Sequence, residues 1–184
     1  MRTLLLTALT ISAFAVLTPP VSGQTIKSTT FGLKGGFMMP GTVYTDFGEL
    51  DSDIGFSLGG FADHTLSEKL YGSAGVDLHS INIGGESEIM LELNLGLKAN
   101  VSSPAASLAV RPGFSVGYAT VTGNEFTDGT QFFIIRGFTE LVARRTGSVN
   151  YLGEIGIGYA TGGNSDVGVD VGPMLLLRGG LQFN

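Results

Sequence analysis

The sequence predicts an all-β fold, an antiparallel up-and-down barrel of about eight strands that crosses a membrane. Three observations support this prediction: apolar and polar residues alternate along about eight segments, the segments run to roughly ten residues each, and charges of both signs recur on their polar face. Strands of soluble sandwiches usually run to about 5–6 residues, whereas a tilted strand needs about 9–11 to cross a bilayer. An even number of antiparallel strands can also close and leave no unpaired edge in lipid.

The segment Met90–Asn100 shows the alternation most clearly. Leucine occupies every second position from Leu91 to Leu97, and the positions between them include Glu92 and Lys98. Because successive side chains of a strand point to opposite faces, this segment has one apolar and one polar face. As a helix, the same residues would spread leucine around the whole circumference. A sandwich strand, a small soluble barrel and a transmembrane barrel all fit this one segment, and the rest of the chain decides among them.

Composition excludes several classes of protein. The 184-residue chain has no cysteine, which rules out a disulfide scaffold and thiolate chemistry, and its formal charge is −6. Its 29 glycines are more than double the usual share of about 7% and follow no collagen-like period, so they indicate turns, bulges and close packing within strands. The acidic balance argues against nucleic acid as a partner, because phosphate binding needs a basic surface.

An export signal is predicted for residues 1–23. Arg2 provides the positive start, Leu4–Val16 the apolar stretch, and Val21–Gly23 the small residues of a cleavage site. The alternative is an uncleaved membrane helix, which the Thr-Pro-Pro sequence at Thr18–Pro20 would break early. We therefore expect a cleavable signal peptide and an exported mature protein.

The mature domain, residues 24–184, divides into eight alternating segments separated by polar turns. Pro112 and Pro173 fall within predicted strands, where each removes a ladder hydrogen bond, and we assign both to bulges. Two longer polar connections, Pro40–Asp53 and Thr120–Thr130, are predicted to be loops on the side opposite the short turns. The predicted strands are Thr30–Met39, Ile54–Asp63, Leu70–Ile81, Met90–Asn100, Leu108–Tyr118, Gln131–Ala143, Tyr151–Tyr159 and Val169–Phe183.

The charged residues of the strands share one parity. In a soluble sandwich they would be solvated, and the leucine face would form the core. In a membrane barrel the faces invert, and an eight-stranded barrel is just wide enough for enclosed side chains to fill it and pair. We expect a plugged lumen with a charge network, made of Lys34, Asp63, Asp77, His79, Glu92, Lys98, Arg111, Arg136, Glu140, Glu154 and Arg178.

Aromatic residues of the apolar parity are expected to gather at the two membrane interfaces. The expected outer girdle consists of Phe37, Phe56, Tyr118, Phe133 and Tyr159, and the expected periplasmic girdle of Phe31, Tyr151 and Phe183.

Catalysis and metal binding have little support in the sequence. The only histidines with a hydroxyl neighbour, His64 before Thr65 and His79 before Ser80, would point to the opposite face from that neighbour. Two histidines without metalloprotease spacing make a zinc site a poor fit, and the acidic residues of 46–53 lack the spacing of a calcium loop. We expect no enzyme activity, no cofactor and no metal.

The opening strand Phe31–Phe37 and the closing residues Leu176–Phe183, with the signal peptide, resemble the small outer-membrane β-barrel proteins of Gram-negative bacteria. That class includes the OmpA-type transmembrane domain, OmpX-like and opacity-type proteins. The resemblance implies an outer-membrane location, contact with outer-membrane lipid, insertion by the barrel-assembly machinery and a monomer. It also implies a structural or surface-interaction role, located in the two longer loops.

Three other functions stay open at this point. A soluble periplasmic barrel could bind an apolar ligand within the leucine and phenylalanine face. A narrow outer-membrane channel would pass ions along the polar face. A barrel enzyme acting on lipid would need Ser, His and Glu side chains that converge on one face, and the sequence shows no such set.

Overall fold

A computed structural model describes residues 28–83, 85–103, 106–122, 129–144, 148–164 and 167–183. The predicted signal peptide, residues 1–23, lies outside the described residues. No helix in the described part of the chain is long and apolar enough to cross a membrane. Strand segments dominate: β1 Thr29–Met39, β2 Thr42–Thr45, β3 Gly48–Leu50, β4 Ser52–Thr65, β5 Leu70–Ile83, β6 Glu86–Ala99, β7 Leu108–Thr122, β8 Gln131–Ala143, β9 Val149–Gly163 and β10 Gly168–Phe183.

The segments form one closed antiparallel wall. Each of β4 to β9 pairs with the next along the chain, and β1 pairs with both β4 and β10, so the sheet closes on itself. Segment β2 extends β1 along β10 in an unbroken register, because Met39 faces Leu175 and Thr42 faces Gly172. Segment β3 likewise extends β4 and pairs with β2. The wall therefore has eight strands, and the predicted all-β up-and-down barrel is confirmed.

The predicted loop Pro40–Asp53 is wrong. Most of it is the far end of the first hairpin, closed by a two-residue turn at Asp46 and Phe47 between paired Thr45 and Gly48. Its composition is polar because this part of the wall extends past the apolar outer surface that faces lipid. The Thr-Val-Tyr-Thr run that forms β2 has high β propensity all the same.

The predicted loop Thr120–Thr130 is also too long. Segment β7 continues to Thr122, and Val121 bonds on through its backbone to Gly129 and Thr130. Residues 123–128 lie outside the described part of the chain.

The two prolines behave differently. Pro173 lies where the ladder between β9 and β10 shifts register, between Val171 and Met174, so its bulge is confirmed. The bulge predicted at Pro112 is wrong, because Pro112 pairs with Thr139 in a ladder that has no shift. The ladder on its other side, between β6 and β7, ends at Gly113. Pro112 therefore occupies an edge-like position, where a missing N–H is tolerated.

The strand pairs also give the stagger of the barrel. A path along paired residues returns to the first strand ten residues from where it began, through Thr29, His64, Gly72, Leu97, Phe114, Gly137, Ile157, Leu175 and Met39. With eight strands about 4.8 Å apart, this stagger tilts the strands by roughly 40° from the barrel axis. A narrow barrel with a filled interior follows.

The outward face of the wall is apolar. On β6, Leu95 is 59% exposed and Leu97 52%, whereas Glu92 is 1% and Lys98 2% exposed. A soluble sandwich would show the reverse. A closed barrel with outward leucines and enclosed charges is the architecture of a membrane-spanning β-barrel.

The interior is layered. We call the end with β2 and β3 the hairpin end. The opposite end, where β4 leads into β5, β6 into β7 and β8 into β9, is the turn end. A buried apolar layer occupies the hairpin end, the charged layer described below lies next to it, and four buried apolar residues lie toward the turn end. The apolar layer consists of Met38, Val43, Ile81, Met90, Ala119, Val121, Phe132, Ile134, Ala160, Val171, Met174 and Leu176. The four residues toward the turn end are Phe61, Ala109, Val142 and Leu152.

Candidate functional site

The ten charged residues and the one histidine singled out in the sequence all lie inside the barrel. None is more than 7% exposed. They come from β1 and from β4 to β10, where alternate positions point inward. The structure joins all eleven through ion pairs into three groups, which we call the seam, central and turn-end groups.

The seam group lies behind the junction of the first and last strands. Lys34 donates to Glu154 Oε2 at 3.0 Å, and Arg178 Nε donates to Glu154 Oε1 at 2.9 Å. A second Arg178 nitrogen, Nη2, also pairs with Glu154 Oε1. One carboxylate thus binds two cations, each on a different strand.

The central group contains the buried histidine. Glu92 Oε2 lies 2.6 Å from Arg136 Nη2 and 3.0 Å from His79 Nε2. Asp77 lies beside Arg136 at 3.7 Å and faces Arg178 at 2.9 Å. Arg178 therefore connects the central group to the seam group.

The turn-end group is built around Lys98. Its ammonium lies 2.9 Å from both Asp63 and Glu140, and Arg111 lies 3.4 Å from the other oxygen of Glu140. The ring of Phe61 lies 4.6 Å from the same ammonium, in the geometry of a cation–π contact.

The charges within these three groups balance. Among the eleven residues, five carboxylates face five lysine and arginine side chains, and His79 makes the eleventh. Unpaired buried charges are strongly destabilising, so equal numbers in contact are what a packed interior requires. The space left between them is small: a cavity of about 10 Å³ lies among Lys34, Ser73, Asn94, Ser115, Arg136 and Arg178. This is about the space for one water molecule.

The central group brings Asp77, His79 and Glu92 close enough for a metal ion, with one ligand atom of each within 4.8 Å of the others. Both carboxylates are already in contact with guanidinium groups, Glu92 with Arg136 and Asp77 with Arg178. A cation entering there would meet two fixed positive charges. The arrangement therefore suits ion pairing, and we assign no metal to it.

The structure also describes the two histidines that have a hydroxyl neighbour in the sequence. His79 is buried in the lumen, whereas Ser80 is exposed on the outer face. The ring of His64 forms a hydrogen bond with a residue of another strand: its Nδ1 lies 2.9 Å from Thr29 Oγ1 on β1.

Several inward polar residues lie outside the predicted charge network. Glu88, Asn94 and Ser57 are inside, and Asn94 donates to Asp77 Oδ2 at 2.9 Å. The parity of β6 places Glu88 and Asn94 with Glu92, so the signal was present. The apolar layer is different: parity places its residues on the inward face with the charges, but their apolar side chains fit a lipid-facing position equally well, so residue type did not indicate a second layer in the lumen.

The eight girdle aromatics are all on the outer surface, with exposures from 40% to 64%. Phe37 and Phe56 pack with ring centroids 5.4 Å apart, and Phe31 is directly paired with Phe183. Tyr118 pairs with Phe133 in the ladder between β7 and β8. Their role as membrane-interface girdles stays a prediction.

The tip of the first hairpin is the most exposed apolar position described. Phe47 is 86% exposed. The turn that carries it is held in place, because Phe47 N–H donates to Thr45 Oγ1 at 3.2 Å and Gly168 N–H donates to Asp46 Oδ2 at 2.8 Å.

Solved structures of similar shape are outer-membrane barrels. The structure of Neisserial surface protein A is similar over 85% of this chain and 97% of that chain, with a TM-score of 0.62 and 12% identity. A major outer membrane protein from Thermus thermophilus is similar over 85% of this chain and 99% of that chain, with a TM-score of 0.50 and 13% identity. No protein-family model and no curated protein matches the sequence. At these identities the likeness concerns the fold, and the chain has the fold of a small outer-membrane β-barrel.

Proposed function

We propose that this protein is an integral outer-membrane barrel with a sealed lumen and a structural or surface-interaction role. One observation carries the proposal: across the interior, a balanced layer of buried ion pairs adjoins a layer of twelve buried apolar residues. Neither layer leaves room for a hydrated solute. The wall then serves to hold its exposed end at the cell surface.

A narrow channel fits this interior poorly. Lumens that conduct are polar and water-filled, whereas Ile134, Met174 and Leu176 close the hairpin end with exposures of 1–2%. Purified protein inserted into planar lipid bilayers should give no conductance steps. As a positive control, Met38, Phe132 and Met174 are replaced together by alanine, and folding is verified by the shift in gel mobility on heating. Conductance steps in the wild-type protein would contradict the sealed lumen.

A soluble barrel that binds an apolar ligand is a second reading of the sequence. Its leucine face would have to line the interior, but Leu95 and Leu97 are exposed and Lys98 is buried. The mature protein should partition into the detergent phase on phase separation. Recovery in the aqueous phase would favour the soluble barrel.

The surface role is assigned to the hairpin tip, Thr42–Leu50. Phe47 is suited to contact a partner, because the turn that carries it is held in place and its side chain is exposed. An aromatic side chain buries a large apolar area on binding and loses little conformational entropy. The chain has no cysteine, so single cysteines report its orientation. On intact cells a membrane-impermeant maleimide should label Phe47→Cys, and should label Lys69→Cys only after the outer membrane is permeabilised. The reverse result would place the hairpin end in the periplasm.

The remaining parts of the proposal concern partners. We expect outer-membrane lipid around the wall, the barrel-assembly machinery during insertion, a monomer, and no nucleic-acid or enzymatic role. The oligomeric state is tested by measuring the mass of the detergent-solubilised protein with the detergent contribution subtracted. A stable dimer would contradict the monomer.

A further inference from the structure

The outer wall contains a groove that a smooth barrel would lack. An open apolar space of about 440 Å³ lies against β1, β4, β5 and β6. That volume is in the range of small-molecule sites, about 300–1,000 Å³. Its outward-facing lining consists of Phe37, Phe56, Leu58, Leu78, Ser80 and Ile89.

A bulge and a small side chain produce the groove. The ladder between β4 and β5 shifts register between Asp53 and Phe56, and a Cβ on the intervening Gly55 would overlap the carbonyl oxygen of Ser80. Below the bulge, Phe56 pairs with Ser80, and Ser80 pairs with Ile89. A serine thus stands between two large side chains, and its short side chain leaves the hollow.

A polar row begins immediately above the groove. Asp53 pairs with Asn82, Asn82 pairs with Ser87, and the Ser87 hydroxyl donates to Asn82 Oδ1 at 2.6 Å. Asp53 and Ser87 are exposed. The row below the groove, Leu58 with Leu78, is wholly apolar. An occupant therefore meets hydrocarbon along most of its length, and hydrogen-bonding groups with one carboxylate at its end.

The charge at this end selects the kind of headgroup. In the described part of the chain, the lysine and arginine side chains outside the lumen, Lys69 and Arg144, both belong to the turn end. Among the residues that the structure describes at the hairpin end, the exposed charges are all carboxylates, from Asp46, Glu49, Asp51, Asp53, Glu86 and Asp170. An anionic headgroup would be repelled there, whereas an ammonium group would be attracted.

We propose that this groove binds one acyl chain of a phospholipid whose ammonium headgroup lies against Asp53. The groove lies within the lipid-facing surface, so the chain enters from the surrounding bilayer, and the polar row at its upper end holds the headgroup. The proposal requires a membrane-embedded wall and does not depend on the sealed lumen.

The test uses tryptophan fluorescence, because the chain has no tryptophan of its own. Full-length mature protein carrying Phe56→Trp is folded into vesicles of equal parts phosphatidylethanolamine and phosphatidylglycerol. Bromine is placed on the chains of one lipid or the other, and quenching is compared. Leu78→Trp is a second reporter in case Phe56→Trp does not fold, and Phe133→Trp, on β8, is the control position.

At residues 56 and 78 we expect brominated phosphatidylethanolamine to quench about two- to fivefold more than brominated phosphatidylglycerol, the size of an exposed ion pair. At residue 133 the two lipids should quench equally. Asp53→Asn should bring the ratio at residue 78 to about one, and Ser80→Phe should lower quenching by both lipids.

Three results would overturn the proposal. Equal quenching by both lipids at residues 56 and 78 would remove the headgroup preference, and a ratio unchanged by Asp53→Asn would remove the carboxylate's role. A disulfide dimer formed by Ile89→Cys and abolished by adding Ser80→Phe would identify a second copy of the chain as the occupant. Since bilayer recordings test the lumen separately, conductance steps would contradict the sealed lumen and leave this result unaffected.

Discussion

The ammonium group of Lys34 on β1 lies 3.0 Å from a carboxylate oxygen of Glu154 on β9, although β10 stands between these two segments in the wall. Arg178, on β10, donates to the other oxygen of the same carboxylate. One acid therefore binds three consecutive strands together, directly behind the place where the last strand meets the first. This junction joins residues distant in sequence, such as Phe31 and Phe183.

Glu154→Gln should destabilise the folded barrel by about 3–5 kcal/mol, because removing the shared carboxylate charge leaves the buried Lys34 ammonium without its acid and Arg178 with Asp77 alone. The free energy of unfolding is measured by urea titration in lipid vesicles. Glu49→Gln is the matched control, since Glu49 is an exposed acid on the hairpin, and it should change stability by less than about 0.5 kcal/mol. Equal effects of the two changes would show that the seam carboxylate contributes no more to the free energy of unfolding than an exposed acid does.

Adding Lys34→Met to Glu154→Gln should recover part of that loss. The double variant removes the Lys34 ammonium that Glu154→Gln leaves unpaired, and Arg178 still has Asp77 at 2.9 Å. A double variant less stable than Glu154→Gln alone would mean that Lys34 stabilises the barrel by some route other than this carboxylate. Such coupling is expected between residues in direct contact, as Lys34 and Glu154 are.

Strand parity in the sequence indicated which residues point inward, because a period of two assigns a face to each residue without knowledge of its neighbours. The partners could not be found in that way. Lys34 and Glu154 are 120 residues apart, and they meet only through the register of the intervening strands and the stagger of the closed barrel. Pairing is a property of the whole wall.

The misread hairpin has a different origin. The sequence predicts a loop at Pro40–Asp53 because this segment is polar and holds several acidic residues. In the structure Pro40 and Gly41 interrupt only two positions, and Gly41 takes the positive φ of +68° that glycine adopts easily. Polarity there reports distance from the membrane, and not the absence of strand.

Leu95→Arg should destabilise the inserted barrel by roughly 2–4 kcal/mol, the usual penalty for arginine on the lipid face near the midplane. Leu95 is 59% exposed in the middle of β6. Asn94→Arg should be milder, because residue 94 faces the polar interior of the barrel, beside Asp77. Both are measured as free energies of unfolding in vesicles. Equal losses would count against the assignment of faces.

Gly36→Ala should impair closure of the barrel. A Cβ on this inward glycine would overlap the carbonyl oxygen of Leu177 on the paired strand β10, and backbone cannot move aside as a flexible side chain can. Gly153→Ala is the matched control, since nothing lies within 4 Å of the corresponding Cβ. The fraction that keeps the compact gel mobility before heating should fall for Gly36→Ala and stay unchanged for Gly153→Ala. Normal closure of Gly36→Ala would mean that the two strands can separate at this point.

Asp46→Ala should loosen the hairpin tip while leaving the barrel intact. Asp46 accepts a hydrogen bond from Gly168 N–H at 2.8 Å, which ties the turn to the start of β10. The barrel itself closes through the pairs of β1 with β10, as far as Met39 and Leu175, and needs no contact from the tip. Losing a bond worth about 1 kcal/mol should raise hydrogen exchange of the Gly168 amide roughly fivefold. Exchange is followed by NMR in micelles, with Glu49→Ala as the control on the same hairpin. Unchanged exchange at Gly168 would mean that this side chain does not hold the tip, and a fall in overall unfolding free energy would mean that the tip is part of the cooperative barrel.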